Sequence, residues 1–179
     1  MSSLTLQDFI DEGHDHFPHS QMMPLSYLHG LLFNRHFELR VELTESSSND
    51  YYDSYTSIML SSPDYVINLG LKKGSSAALS SFNLASTISG AMFKVATSPC
   101  YAAHNTGSWY SGSCAGFALL GAQASMFYGP LSGTLVKTKL LIRETHCVAW
   151  SLISGLYSCT QCESGYLPNA LGVCISCTD

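Results

Sequence analysis

The chain has 179 residues, of which 46% are hydrophobic and 12% are charged, and its formal net charge is −5. A charged fraction about half the ordinary level, combined with an ordinary hydrophobic fraction, argues against intrinsic disorder, because disordered chains combine low hydrophobicity with high charge. The acidic balance provides no basic field for phosphate backbones, so we expect no nucleic-acid partner.

Residues 1–36 are predicted to form an N-terminal arm with one short helix over residues 4–13. Three histidines follow at close spacing: His14, His16 and His19. Their side chains are of the type that binds zinc or copper, but Pro18 prevents the three imidazoles from sharing one helical face. We therefore favour a solvated polar arm over a metal site.

Residues 37–43 show the clearest pattern in the chain. Four apolar side chains alternate with three charged ones: Phe37, Leu39, Val41 and Leu43 with Glu38, Arg40 and Glu42. This period of two predicts a half-buried strand with one wet face. The acidic, tyrosine-rich residues 45–55 are predicted to form a solvated loop rather than a calcium site, because the spacing of Glu45, Asp50 and Asp53 matches no EF-hand loop.

Short strand candidates separated by turn signals continue along the chain. They are residues 55–60, 65–71, 79–84, 91–97, 108–110, 116–120, 125–128 and 133–143. Outside the N-terminal helix, a helical period is found only over residues 25–33. The closely spaced turns predict an antiparallel β-sandwich over residues 37–145.

Residues 74–136 contain a single formal charge, Lys94, and one histidine, His104. About sixteen charged residues would be expected over this length. The longest apolar run is far short of the roughly 20 residues that cross a bilayer, so we expect no membrane span. We interpret the neutral stretch as a surface covered by neighbouring subunits. The alternatives are buried strands, a surface coated with O-linked sugar, or an unusually neutral surface.

The last five of the seven cysteines are spaced C-x11-C-x2-C-x11-C-x2-C over residues 147–177, within a cysteine-rich segment predicted to span residues 146–179. This segment, which includes CTQCESGYLPNALGVCISC, resembles the cysteine-rich repeats of growth-factor-receptor and furin-like modules. Similar repeats are frequent in the surface proteins of protists. The resemblance implies extracellular exposure and a series of small disulfide-bonded hoops.

On this resemblance each hoop closes across its own eleven-residue loop, as Cys147–Cys159 and Cys162–Cys174. Cys177 would then begin a third hoop. The competing pairing joins Cys159 to Cys174 and Cys162 to Cys177, and it leaves Cys147 free. A four-cysteine zinc site is a further alternative, although two C-x2-C knuckles usually lie about 15–20 residues apart.

Cys100 and Cys114 are expected to form a disulfide that closes a loop containing Trp109. Disulfides form in oxidising compartments, so we predict an extracellular or cell-surface location. The first residues have neither the basic nor the apolar region of a signal peptide. We therefore expect that a leader was removed before the numbering begins.

No catalytic motif is evident in the sequence. Residues 107–112 contain serine between glycines, but their spacing does not match a nucleophile elbow. His146 and Cys147 are adjacent, and neighbours in a strand point to opposite faces, which argues against a nucleophile–base pair. We predict a protein that is not an enzyme and uses no cofactor.

Together these features favour an extracellular structural protein that assembles with copies of itself into a fibre, filament or surface coat. The alternative is a secreted carbohydrate-binding or adhesion module, which would make glycans a further partner. In that case aromatic side chains on loops would contact the ligand: Tyr51, Tyr52, Tyr55, Trp109 and Tyr110. A secreted hydrolase is the third hypothesis.

Overall fold

The structure is a computed structural model that describes residues 23–33, 36–95, 98–100, 107–110, 112, 114, 117–118, 127–132, 135–153, 156–170 and 174–177. The predicted helix over residues 4–13 and the three clustered histidines His14, His16 and His19 lie outside the described residues. The same holds for a large part of the neutral stretch, including His104.

Short antiparallel strands account for most of the described chain. In order, the elements are α1 (Leu25–Leu32), β1 (Phe37–Glu45), β2 (Asp50–Ser61), β3 (Val66–Leu69), β4 (Lys72–Ser75), a 3-10 helix (Ala77–Leu79), α2 (Leu84–Ile88), β5 (Phe93–Lys94), β6 (Ser108–Trp109), β7 (Phe117–Ala118), β8 (Phe127–Tyr128), β9 (Leu131–Ser132), β10 (Leu135–Glu144), β11 (Cys147–Ile153), β12 (Leu156–Cys162), β13 (Tyr166–Pro168) and β14 (Cys174–Ser176). The predicted fold class is confirmed: mainly antiparallel β-structure, with short helices and with disulfides near the C-terminal end.

The main sheet has five strands. β10 pairs with β1, β1 pairs with β2, and β2 pairs with both β3 and β4. Four smaller antiparallel sheets accompany it among the described residues: β5–β6, β7–β8–β9, β11–β12 and β13–β14. No helix in the described part of the chain is long and apolar enough to cross a membrane.

The side chains of β1 face the core and the solvent as its sequence pattern predicts. The apolar residues Phe37, Leu39, Val41 and Leu43 are all buried, with exposed fractions between 0% and 6%. The charged residues between them, Glu38, Arg40 and Glu42, face the solvent side of the sheet. The sheet therefore has one apolar inner face and one charged outer face, because residues two apart in a strand share a face.

In the described part of the chain, the inner face is covered by the short helices and the two-residue strands, and not by a single large second sheet. Their buried side chains join those of β1 in one core: Leu25, Leu32, Leu79, Leu84, Ile88, Phe93, Trp109 and Tyr128. α1, whose helical period is visible in the sequence, contributes its two buried leucines to this layer.

Two predicted segments differ in the structure. Residues 45–55 are not a loop throughout, because β2 begins at Asp50 and its tyrosines alternate across the sheet. Residues 79–84 are not a strand. The Asn83 side chain accepts a hydrogen bond from the Ala85 amide (3.0 Å), and this N-cap starts α2.

Asp53 of β2 is a carboxylate with no solvent exposure. Its Oδ2 accepts hydrogen bonds from the hydroxyls of Tyr55 (2.7 Å) and Tyr128 (3.0 Å). Its Oδ1 faces the Lys72 ammonium at 3.2 Å, as an ion pair without hydrogen-bond alignment. Burial raises the pKa of both phenols above the ordinary value, so both hydroxyls stay protonated and donate to the carboxylate.

The partners of Asp53 extend the network to the covering layer. Lys72 Nζ donates to the carbonyls of Leu79 (2.5 Å) and Phe82 (2.6 Å), between the 3-10 helix and α2. The Tyr55 hydroxyl accepts a hydrogen bond from the Leu84 amide (2.9 Å), at the start of α2. One buried charge therefore connects β2 and β4 to both short helices and to β8.

Removing either charge of the Asp53–Lys72 pair should destabilise the fold far more than breaking a surface pair. We expect Asp53→Asn and Lys72→Met each to cost about 3–5 kcal/mol, because a buried charge then loses its partner. Arg143→Ala removes the pair between Glu38 and a side chain that is 74% exposed, and should cost about 0–1 kcal/mol. Urea unfolding measures all three, and equal costs would contradict a structural role for Asp53.

His36 precedes β1 and is 8% exposed, and burial lowers its pKa from 6.5 to about 4. As the pH falls below 6.5, the unfolded chain binds a proton that the folded chain does not bind until about pH 4. This group should therefore lower the free energy of unfolding as the pH falls through that window, by up to about 3 kcal/mol. His36→Gln should flatten the decrease, and equal pH slopes for the two proteins would contradict the assignment.

Candidate functional site

A shallow cleft of about 350 Å³ lies on the main sheet where β1, β2 and β10 meet. It is lined by Arg40, Glu42, Leu43, Thr44, Asp50, Tyr51, Tyr52, Lys137 and Lys139. This volume is at the lower end of the range of small-molecule sites. Because these strands are held in register by the main sheet, the cleft sits on a rigid part of the fold.

One wall of the cleft combines a cation with an aromatic ring. The Arg40 guanidinium lies 4.3 Å from the centre of the Tyr52 ring, and its Nε donates to Glu42 Oε1 at 2.9 Å. Cation–π contacts of this kind contribute about 0.5–1 kcal/mol at exposed sites. Together with the bond to Glu42, this contact fixes the orientation of the guanidinium.

The opposite wall carries two lysines of β10. Lys139 lies opposite Glu42 in the strand pairing, and Lys137 lies opposite Thr44. Both lysines are exposed. In the part of the chain that the structure describes, no carboxylate lies within 4 Å of either ammonium group. Glu42, which lies opposite Lys139, forms its ion pair with Arg40. The wall therefore presents two positive charges to a ligand.

The end of the cleft near the β1–β2 turn is polar and acidic. Asp50 Oδ1 accepts a hydrogen bond from the Thr44 hydroxyl (2.7 Å). The Tyr51 hydroxyl donates to Glu45 Oε2 (3.0 Å), an acid that does not line the cleft, and this bond is the main reason why the pKa of Tyr51 is raised. Asp53 points into the core, so the three acids considered for calcium are not gathered at one point.

The five aromatic residues predicted to contact a ligand are divided by the structure. Tyr51 and Tyr52 line the cleft. Tyr55, Trp109 and Tyr110 are only 0%, 3% and 1% exposed, so for these three the prediction of a surface contact is corrected. The Tyr55 hydroxyl donates a hydrogen bond to Asp53, and Trp109 Nε1 donates to a backbone carbonyl in the core at 2.7 Å.

Sequence reasoning missed the cationic side of the cleft. The alternation in β1 places Arg40 on a wet face, but the pairing of β1 with β10 is not visible from either strand alone. That pairing brings Lys137 and Lys139 next to a strand about a hundred residues away in sequence. The separation of the lysines by one residue was the available signal, because it puts both on one face.

The structure has three disulfides: Cys100–Cys114, Cys147–Cys159 and Cys162–Cys174. Cys177 is exposed and forms no disulfide. Within the described residues, the only group of three possible metal ligands is Cys147, Cys159 and Cys174. Their sulfurs are bonded in disulfides, so this arrangement offers no thiolate to zinc.

No family model matches the sequence, and no curated protein is significantly similar to it. Solved structures are similar in fold. The fibrinogen-like globe domain of human ANGPTL6 has a TM-score of 0.63 at 20% identity, over 78% of this chain and 70% of that chain. The fibrinogen-like globe domain of human ANGPTL2 has a TM-score of 0.62 at 19% identity, over 78% of this chain and 72% of that chain.

A third similar structure is the lamprey fibrin D-dimer complexed with the peptide ligand Gly-His-Arg-Pro-amide. It has a TM-score of 0.54 at 14% identity, over 68% of this chain. This chain spans about half (49%) of the length of that one. The architecture described above is thus similar in fold to fibrinogen-like globe domains. The resemblance of residues 147–177 to cysteine-rich repeats stays a prediction.

Proposed function

We propose that the protein is an extracellular binding domain that recognises acidic oligosaccharides at the cleft on its main sheet. Three disulfides support an oxidising location. The fibrinogen-like fold supports a binding role, since the lamprey fibrin D-dimer of similar fold was solved with a bound tetrapeptide. Glu42 and Asp50 are held by Arg40 and Thr44, so we propose binding without hydrolysis.

The observation that carries this proposal is the pair of β10 lysines that line the same cleft as Arg40 and Tyr52. An ammonium group without a protein carboxylate is available to a carboxylate or sulfate of a ligand. The Tyr52 ring adds an amphipathic surface against which a sugar ring can pack. Hydroxyl groups of the sugar would meet the polar end of the cleft, where Thr44 and Asp50 lie.

Substitution of both lysines should weaken binding of a sulfated or uronic-acid oligosaccharide at least about tenfold. This magnitude follows because a hydrogen bond to a charged group contributes about 1.5–3 kcal/mol. The matched control is Lys73→Ala, which removes one positive charge from β4, where Lys73 pairs with Glu38 at 2.6 Å. Titration calorimetry with charged and uncharged oligosaccharides would measure the effect of Lys137→Ala/Lys139→Ala.

If Lys73→Ala weakens binding as much per charge as the double variant does, the attraction is a general charge effect and the cleft is not the site. If the wild-type protein binds the uncharged oligosaccharide as tightly as the charged one, the role of the lysines is also contradicted.

Self-association is the second candidate function, and it is supported by the position of β10. Among the residues that the structure describes, this strand ends the main sheet, and three of its apolar side chains are 38–44% exposed: Val136, Leu140 and Leu141. An edge strand with exposed apolar residues can pair with a strand of another copy, although the two lysines on β10 oppose such pairing. A fibre or coat would require this or a comparable contact.

A charge placed on that edge should reduce self-association. We expect Leu141→Lys to shift the sedimentation profile towards monomer, because a further positive charge would lie beside the lysines of β10. Leu167→Lys is the matched control, since this leucine is 61% exposed on a different hairpin. A wild-type protein that is monomeric at every concentration, or equal effects of both substitutions, would rule out the β10 edge.

A further inference from the structure

Two disulfides of the C-terminal hairpins are in contact with each other. Cys147–Cys159 joins β11 to β12, and Cys162–Cys174 joins β12 to β14. Cys159 Sγ lies 3.3 Å from Cys174 Sγ, although the two atoms belong to different disulfides. The sulfurs of Cys147, Cys159 and Cys174 all lie within 4.8 Å of one another. The two bonds therefore form a single sulfur cluster.

The fifth cysteine of this region lies beside the same hairpins. Cys177 is exposed and has no disulfide. Its amide donates to the Gly165 carbonyl (2.9 Å), and the preceding Ser176 pairs with Tyr166. Gly165 belongs to the turn that begins directly after Cys162. The backbone thus places a free thiol next to the turn that follows one of the bonded cysteines.

We propose that these five cysteines form a thiol–disulfide exchange centre with two alternative pairings. The Cys177 thiolate attacks Cys162 Sγ, so that the Cys162–Cys177 bond forms, the Cys162–Cys174 bond breaks and Cys174 leaves as a thiolate. Cys174 then attacks Cys159 Sγ, forming Cys159–Cys174 and breaking Cys147–Cys159. Cys147 leaves as a thiolate and takes up the proton that Cys177 released.

The exchange is balanced without an oxidant or a reductant, because the number of disulfides and of free thiols is the same before and after. The first pairing closes two loops with sequence separations of 12. In the second pairing Cys159 and Cys174 are 15 residues apart, and so are Cys162 and Cys177. Loop-closure entropy changes slowly with loop length, so neither pairing has a large entropic advantage.

The two pairings differ in what they hold together. The first ties β11, which directly follows the main sheet, to β12. The second releases β11 and joins the two hairpins to each other twice. The free thiol also moves from an exposed position at Cys177 to a half-buried position at Cys147, next to His146. The exchange centre therefore sets whether a disulfide cross-links β11 to β12, or whether both disulfides cross-link the two hairpins to each other.

Alkylation and peptide mapping of the full chain distinguish the two pairings. The protein is incubated at about pH 8, quenched with acid, alkylated with N-ethylmaleimide and cleaved after Tyr157 and Glu163 without reduction. In the first pairing the peptides carrying Cys147, Cys159 and Cys174 remain linked, and the label is on Cys177. In the second pairing the Cys147 peptide is released and carries the label.

We expect labelled Cys147 to accumulate during incubation of the wild-type protein, because the thiolate is the attacking species and its population rises with pH. If Cys147 stays linked and only Cys177 is labelled at every time point, the proposal is overturned.

Two single substitutions separate the steps. Cys177→Ser removes the first attacking group and should abolish labelling of Cys147. Cys147→Ser leaves four cysteines that can all be bonded in the second pairing, so this variant should take up no label. Labels on both Cys159 and Cys177 in Cys147→Ser would show that the second pairing is not reached. Far-ultraviolet circular dichroism of both variants checks that the main sheet, which contains none of these cysteines, is retained.

Discussion

The buried Asp53 carboxylate is the interaction on which the covering layer of this fold depends. A carboxylate removed from water costs several kcal/mol unless it is paired and hydrogen-bonded, so Lys72, Tyr55 and Tyr128 must all be in place at once. β8 has only two residues and gains little from strand pairing. Its tyrosine is held instead by a charge in the middle of β2. The carboxylate thus positions elements that are too short to position themselves.

This dependence explains which parts of the fold could be predicted from the sequence. β1 was predictable because its alternating pattern is complete within seven residues. The start of β2 was not, since the burial of an aspartate at position 53 depends on Tyr128, which is 75 residues away. The same limit applied to the cleft. The sequence places Arg40 on the wet face of β1. The position of the two lysines beside it depends on the pairing of β1 with β10, which the sequence does not show.

β10 connects the two regions for which functions are proposed. It carries the lysines of the cleft, and three residues after its end the chain enters the sulfur cluster at Cys147. His146 stacks on Tyr166 with ring centres 3.8 Å apart, and its carbonyl accepts the Glu163 amide at 2.8 Å. These contacts hold the second hairpin against the end of β10 independently of the disulfides. A change in cysteine pairing therefore alters the covalent links of the hairpins while their non-covalent attachment remains.

The order of strands in the main sheet has a consequence for synthesis of the chain. β1 lies between β2, its sequence neighbour, and β10, so one of its edges stays open until residues near 144 have left the ribosome. At a synthesis rate of about 5–20 residues per second, that interval lasts several seconds. An open edge with valine and leucines is a site for wrong pairing between nascent chains. The charges of Glu38, Arg40 and Glu42 on the same strand oppose such pairing, because charged side chains disfavour the addition of a foreign strand to an open edge.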